Sequence, residues 1–213
     1  WESFQIGAAV SGSLSKKKIP LRYYYTLYNG NGKNQVQDND DAKNHALRLE
    51  YDLLPKLQLG VNEALTKIDN QNASMFGADI SYNANLSKLW KAGFNTEFKY
   101  GTNISAFSAA TLAGKDVSDY KMTGFYIIPF ISRAINESNK SFIEFTCRYE
   151  YLEDVNKNGN VGRFYTPMLS YVIGDDYTSK ISLVGVISDY SKDIINTNQY
   201  SSKLLLLQYQ IRF

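Results

Sequence analysis

The sequence predicts an all-β chain, a transmembrane antiparallel β-barrel of about eleven strands, and three observations predict it. Polar and apolar residues alternate with period two through one segment after another. Aromatic residues make up 14% of the chain, 17 of them Tyr, while mean hydropathy is only -0.34. Connections alternate between short turns and longer loops rich in Asn, Asp and Gly. A helical span needs a run of about 20 apolar residues. The apolar runs here, such as Phe125 to Ile128 and Leu204 to Leu207, are far shorter. A membrane barrel places its apolar residues at every second position, so its average looks polar.

The elements follow in order. Phe4, Ile6, Ala8 and Val10 share the apolar parity of a first strand, and Lys16 to Lys18 mark a turn. Arg22 to Tyr28 precedes a polar loop over 29–41. Leu47, Leu49 and Tyr51 then face away from Arg48, Glu50 and Asp52, and a turn at Pro55 follows. Leu57, Leu59 and Val61 alternate with Gln58, Gly60 and Asn62. Phe76, Ala78, Ile80 and Tyr82 stand opposite Gly77, Asp79 and Ser81. Trp90, Ala92, Phe94, Phe98 and Tyr100 oppose Lys91, Asn95, Glu97 and Lys99. Ile143, Phe145, Cys147, Tyr149 and Tyr151 oppose Glu144, Thr146, Arg148 and Glu150. Tyr165, Leu169, Tyr171 and Ile173 form one apolar face, and Ile181, Leu183 and Ile187 the next. Leu205, Leu207, Tyr209, Ile211 and Phe213 end the chain on an alternating strand closed by an aromatic residue. No helix is expected between strands. From Tyr120 to Ile135 both parities are apolar, which leaves the facing open, and Pro129 and Pro167 each predict a bulge or local distortion.

Short turns are expected near 13–18, 53–55, 85–88, 136–140 and 174–178, and longer loops at 29–41, 103–119, 152–162 and 190–200. This is the asymmetry of an outer-membrane barrel. Tyr51, Tyr82, Trp90, Tyr171 and Phe213 fall near the short turns, and Tyr100, Tyr120, Tyr151 and Tyr165 near the long loops. Two such girdles suit the two interfaces of a bilayer. The other parity is then expected to line a wet lumen. It carries Arg22, Arg48, Lys91, Lys99, Arg148, Lys180 and Arg212 against Glu50, Asp52, Asp79, Glu97, Glu144 and Glu150. Signs that nearly balance predict weak ion selectivity. The alternative for any one residue is a cross-strand pair that stiffens the wall.

One domain is expected over 1–213. The final strand should run toward the periplasm, so an odd count places the start of the first strand outside the cell. Further strands upstream are therefore expected. Export implies a leader already removed.

Leu27 to Gly32, the Asn/Asp-rich loop after it, Ala46 to Tyr51, Phe76 to Asp79, Phe125-Tyr126 and Cys147 to Asp154 together resemble the phosphate-selective porin family (porin O and P type). The resemblance implies a sixteen-stranded trimeric barrel of which this chain is the C-terminal portion. The family's anion site draws on basic residues of an upstream loop. No matching motif is present, so no binding residue carries over.

The expected function is passive diffusion of small solutes or ions, including anions such as phosphate, across the outer membrane of a Gram-negative bacterium. The alternative is a non-conducting barrel subunit of a larger outer-membrane assembly. Expected partners are outer-membrane lipid, further copies in a trimer, or other outer-membrane proteins. A charge of +2 gives no reason to expect nucleic acid. An enzyme is not expected, because His45 is the one histidine and sits at a loop edge without a motif around it. No cofactor or metal is expected. Asp38, Asp40 and Asp41, or Glu153, Asp154 and Asn156, read as solvated loop groups before they read as a calcium site. Cys147 reads as a small apolar side chain on the lipid-facing parity.

Overall fold

The computed structural model of the chain describes residues 7–14, 20–29, 43–68, 70–111, 114–135, 140–154, 159–174, 179–194 and 199–211. Eleven strands form one sheet in sequence order. They are β1 (Gly7–Ser13), β2 (Leu21–Asn29), β3 (Lys43–Leu54), β4 (Leu57–Ile68), β5 (Gln71–Asn85), β6 (Trp90–Thr102), β7 (Lys121–Ala134), β8 (Phe142–Asp154), β9 (Val161–Ile173), β10 (Ser179–Tyr190) and β11 (Ser202–Ile211). The all-β antiparallel reading and the strand count hold. No helix among the described residues is long and apolar enough to cross a membrane, which says nothing of strands.

Burial follows parity, but in the sense opposite to a soluble sheet. Away from the sheet edges the apolar face is the more exposed one: Leu183 is 47% exposed and Phe145 48%, whereas β1 and β11 are exposed on both faces. Buried side chains on the opposite face are more often polar than apolar, among them Asn44, Thr66, Glu144, Ser170 and Ser182. A soluble sandwich buries its apolar face against a second sheet. The described residues do the reverse.

Register explains the alternation. Tyr25 stands opposite Leu47, and Leu47 opposite Glu63, so these three share one face. Arg22 pairs with Glu50, and Glu50 with Gly60, on the other. The β3–β4 ladder shifts between Asp52 and Leu54, next to the Pro55 turn. Pro167 keeps its register with Cys147 of β8. On its other side the β9–β10 ladder skips two positions and resumes in the same register. Proline lacks the N–H that would donate there, so the expected distortion is a gap in the ladder rather than a bulge.

The open facing of 120–135 is resolved within β7. Phe125, Ile127 and Ile131 are exposed on the apolar face, while Tyr126 and Phe130 turn half-buried toward the charged face. Two contacts hold them there. The Arg148 guanidinium lies 5.1 Å over the Tyr126 ring, a cation–π arrangement. Gly93 leaves room for Phe130, since a Cβ at Gly93 would stand 2.7 Å from that ring. Strand β7 runs through Pro129 without interruption.

The expectation of no helix between strands is corrected at one point. Helix α1 (Ile104–Ala109) and a 3-10 turn at Val117–Asp119 lie between β6 and β7. Asn103 caps α1 by accepting from the Ala106 N–H at 3.0 Å. The chain's contacts group into two compact units. One holds 1–79, 98–123 and 154–159, and the other holds 80–97, 124–153 and 160–213.

Candidate functional site

The charged face of β2–β5, within the first unit, carries a continuous ladder of ion pairs. Arg22 donates through Nε to Glu50 at 2.9 Å and through both terminal nitrogens to Asp52 at 2.7 and 2.9 Å. Arg48 donates to Glu50 at 2.8 Å and bidentately to Asp79 at 2.7 and 3.0 Å. Asn62 and Gln58 close the sides: Asn62 accepts from Arg48 at 2.7 Å, and Gln58 donates to Asp52 at 3.1 Å. Two-point arginine–carboxylate pairs fix both distance and orientation.

The Arg48–Asp79 pair joins β3 to β5 across β4, and the residue between is Gly60. A Cβ at Gly60 would lie 2.4 Å from the Asp79 carboxylate. The glycine thus leaves room for the Asp79 carboxylate beneath the bridge, independently of any turn. The ladder as a whole sets two guanidinium groups against three carboxylates, so it is slightly negative and internally satisfied.

Arg22, Arg48, Glu50 and Asp79 are therefore brought together. Lys91, Glu97 and Lys99 share the charged face of β6, with Lys91 and Lys99 exposed and Glu97 half-buried. Glu144 and Lys180 meet at 3.5 Å, and Arg148 and Glu150 at 2.5 Å. Arg212 and Phe213 lie outside the described residues. Tyr82, Trp90, Tyr100 and Tyr171 are exposed on the apolar face near strand ends, and Tyr51 is half-buried there.

Sequence reasoning missed one component. Phe107 of α1 is wholly buried and packs with Ala73 and Val117, flanked by Ile68 and Tyr120. Ala73 lies on the same face of β5 as Asp79, and Ile68 on the same face of β4 as Asn62. Residues 103–111 and 114–120 thus fold over the charged face at its long-loop end. They are tied down there. Gln71 donates to the Lys115 carbonyl at 2.8 Å and accepts from the Val117 N–H at 2.7 Å. The Lys115 ammonium caps α1 at the Phe107 and Ala110 carbonyls and lies 4.3 Å from the Phe107 ring centroid. Tyr120, expected in the long-loop girdle, instead meets Phe107 edge-on at 5.5 Å. The available signals were Asn103 as a cap and a lone Phe among small residues.

His45 makes a 2.6 Å hydrogen bond between its Nδ1 and the Tyr25 hydroxyl on the apolar face. Among the described residues no group of three or more His, Cys, Asp or Glu side chains could hold a metal. Glu153 accepts from Tyr151 at 2.8 Å, and Asp154 from Asn103 at 3.3 Å. Asp38, Asp40, Asp41 and Asn156 lie outside the described residues. Cys147 is half-buried on the apolar face.

No family model and no curated protein matches the sequence. A solved structure described as a porin matches the fold with a TM-score of 0.53 at 10% identity. The match covers 96% of this chain and 61% of that one, so the chain spans about three-fifths of its length. The likeness shows the fold, that of a porin-type antiparallel β-sheet.

Proposed function

We propose that this chain forms the wall of an outer-membrane porin in a Gram-negative bacterium and passes small solutes or ions by passive diffusion. The observation that carries the reading is the inverted burial, with the apolar parity exposed and the charged parity shielded. A bilayer rewards that arrangement and water does not. The porin-type fold supports it. Arg22, Arg48, Glu50, Asp79, Lys91, Glu97, Lys99, Glu144, Arg148, Glu150, Lys180 and Arg212 are then the pore-lining residues. Tyr51, Tyr82, Trp90, Tyr100, Tyr171 and Phe213 settle at the interfaces. The 103–120 segment narrows the path.

Charges of both signs, already paired, favour weak selectivity. Phosphate belongs among the anions passed, and Arg22 and Arg48 do not bind it, because three carboxylates offset their two charges and take most of their donors. Lipid and further copies in a trimer are the partners this reading implies. The test is single-channel conductance of the natively purified, detergent-solubilised protein in a planar bilayer under a salt gradient. Stepwise conductance with a small reversal potential is the expected result. Block by millimolar phosphate would sharpen the reading to the phosphate-selective porin type. Absence of conductance from folded protein would overturn the channel. It would favour a non-conducting subunit whose 103–120 segment closes the lumen.

A further inference from the structure

The apolar face changes character at the long-loop ends of β3 and β4. His45 and Leu65 stand opposite each other in that ladder. Two residues further along each strand, on the same face, are Lys43 and Lys67, both exposed. Asn72 and Ser74 are exposed on this face of β5. These six residues line a concavity of about 570 Å³. Like charges on neighbouring strands repel, and among the described residues no carboxylate lines the cleft. The one carboxylate of β4 on this face, Glu63, lies four residues from Lys67, about 13 Å along the strand.

Comparable basic residues elsewhere on this face have other company. At the long-loop ends of β9 and β10, Arg163 meets Asp189 at 3.7 Å. At the start of β7, the Lys121 ammonium donates to the Thr102 hydroxyl at 3.3 Å. The cleft instead gathers two ammonium groups and two neutral polar side chains around one concavity. Its surroundings toward the middle of the strands are apolar. Leu47, Leu65 and Phe76 continue the same face of β3, β4 and β5, and all three are exposed.

We propose that this cleft binds the phosphate of an outer-leaflet glycolipid, with Lys43 and Lys67 as counter-charges and Asn72 and Ser74 as neutral donors. The proposal rests on the outer-membrane part of the reading above, not on conduction. It adds a defined headgroup site to lipid as surrounding solvent. Long loops mark the outer end of a barrel strand, and the outer leaflet of a Gram-negative outer membrane is built of phosphorylated glycolipid. Strand ends at that interface meet headgroups, and the middles of strands meet acyl chains. The cleft presents its groups in that order, ammonium groups at the strand ends and then Leu65, Leu47 and Phe76. A free phosphate ion would use the first part alone. An anion between the two lysines replaces their repulsion with two attractions, and lysine serves phosphate as a point charge. Basic pockets at a membrane surface recognise lipid headgroups in this way.

The test uses the full chain purified in nonionic detergent and mixed micelles that carry diphosphoryl lipid A. Native mass spectrometry should show lipid A retained by the parent. Lys67→Gln should lose affinity several-fold, and Lys43→Gln with Lys67→Gln at least about ten-fold. Lys67→Arg should keep the parent's affinity, and Arg163→Gln should leave it unchanged. Lipid A stripped of both phosphates should bind the parent and the double variant alike. Equal affinity of parent and double variant for diphosphoryl lipid A would overturn the proposal. An equal loss in Arg163→Gln would also overturn it, because the attraction would then be unspecific. Displacement of lipid A by millimolar inorganic phosphate would assign the cleft to the free ion instead. Recovery of the chain from the soluble fraction without detergent would overturn the outer-membrane reading and this proposal with it.

Discussion

Two regions of the sheet solve one problem with different residues. In β2–β5, Arg48 reaches across β4 to Asp79, and the residue beneath the bridge is Gly60. In β8–β10, Lys180 reaches across β9 to Glu144 at 3.5 Å, and the β9 residue in register with Glu144 is Ser170, 1% exposed. Strands two apart are about 9.6 Å distant, so only a long basic side chain over a small residue closes the gap. The first bridge is half-exposed and part of a five-membered ladder. The second is nearly buried, beside the 2.9 Å contact between the Ser170 and Ser182 hydroxyls. Charges of one parity are thus not equivalent. Their role depends on what the intervening strand leaves open.

The deepest cut into that comparison is Glu144→Ala. It leaves Lys180 close-packed without its bridging carboxylate, and loss of one partner of a buried pair costs about 3 kcal/mol. Urea unfolding of the detergent-folded protein should show that loss, and Glu50→Ala, in the more exposed ladder, should show less. Equal losses would mean that burial does not separate the two bridges.

Gly60→Ala attacks the other bridge through space rather than charge. The new Cβ pushes the movable end of Asp79 aside and loosens its two-point contact with Arg48, a loss of about 1 kcal/mol for a partly exposed pair. Ser170→Gly places no new atom under its bridge and should not displace Glu144. A Gly60→Ala protein as stable as the parent would sink the close-approach argument.

Asp79→Asn leaves the backbone alone and removes one negative charge from the ladder. The reversal potential in a salt gradient should move toward anions by a few-fold or less. A unit charge about 5 Å from the ion in water is worth about 0.8 kcal/mol before screening. A shift toward cations would contradict the pore-lining assignment.

The smallest effect is expected at Asp116. The Ser118 hydroxyl and backbone N–H hold its carboxyl below the usual carboxylate range. A depressed folded value contributes stability that is present above the unfolded value and lost as pH falls through the folded one. Protease cleavage within 103–120 should therefore stay constant from neutral pH down to the ordinary carboxylate range and rise only below it. Asp116→Ala should remove that acid-side rise. A transition near neutral pH would point to a different group.

Most of the strand pattern was legible because a two-residue period needs no knowledge of partners. Leu57, Leu59 and Val61 declare a face whatever lies beside them. The bridges were not legible, because they depend on the stagger of strands two apart. Gly60 reads as an unremarkable small residue until Asp79 is seen beside it. The facing of Tyr126 and Phe130 was hidden for a related reason. Both parities of β7 are apolar, and the deciding residues, Gly93 and Arg148, lie on other strands. Helix α1 was missed because six residues carry too little periodicity to compete with a loop rich in Ser and Ala.

Strand order has a consequence for how the chain reaches this state. Every strand lies beside its sequence neighbour, so each ladder forms by closing a single hairpin. Closure entropy grows only slowly with loop length, so the long connections delay pairing little more than the short ones. Contacts between sequence neighbours also keep contact order low, a property of fast-folding chains. The meander can therefore grow one hairpin at a time, each new strand finding its template already laid down by the strand before it.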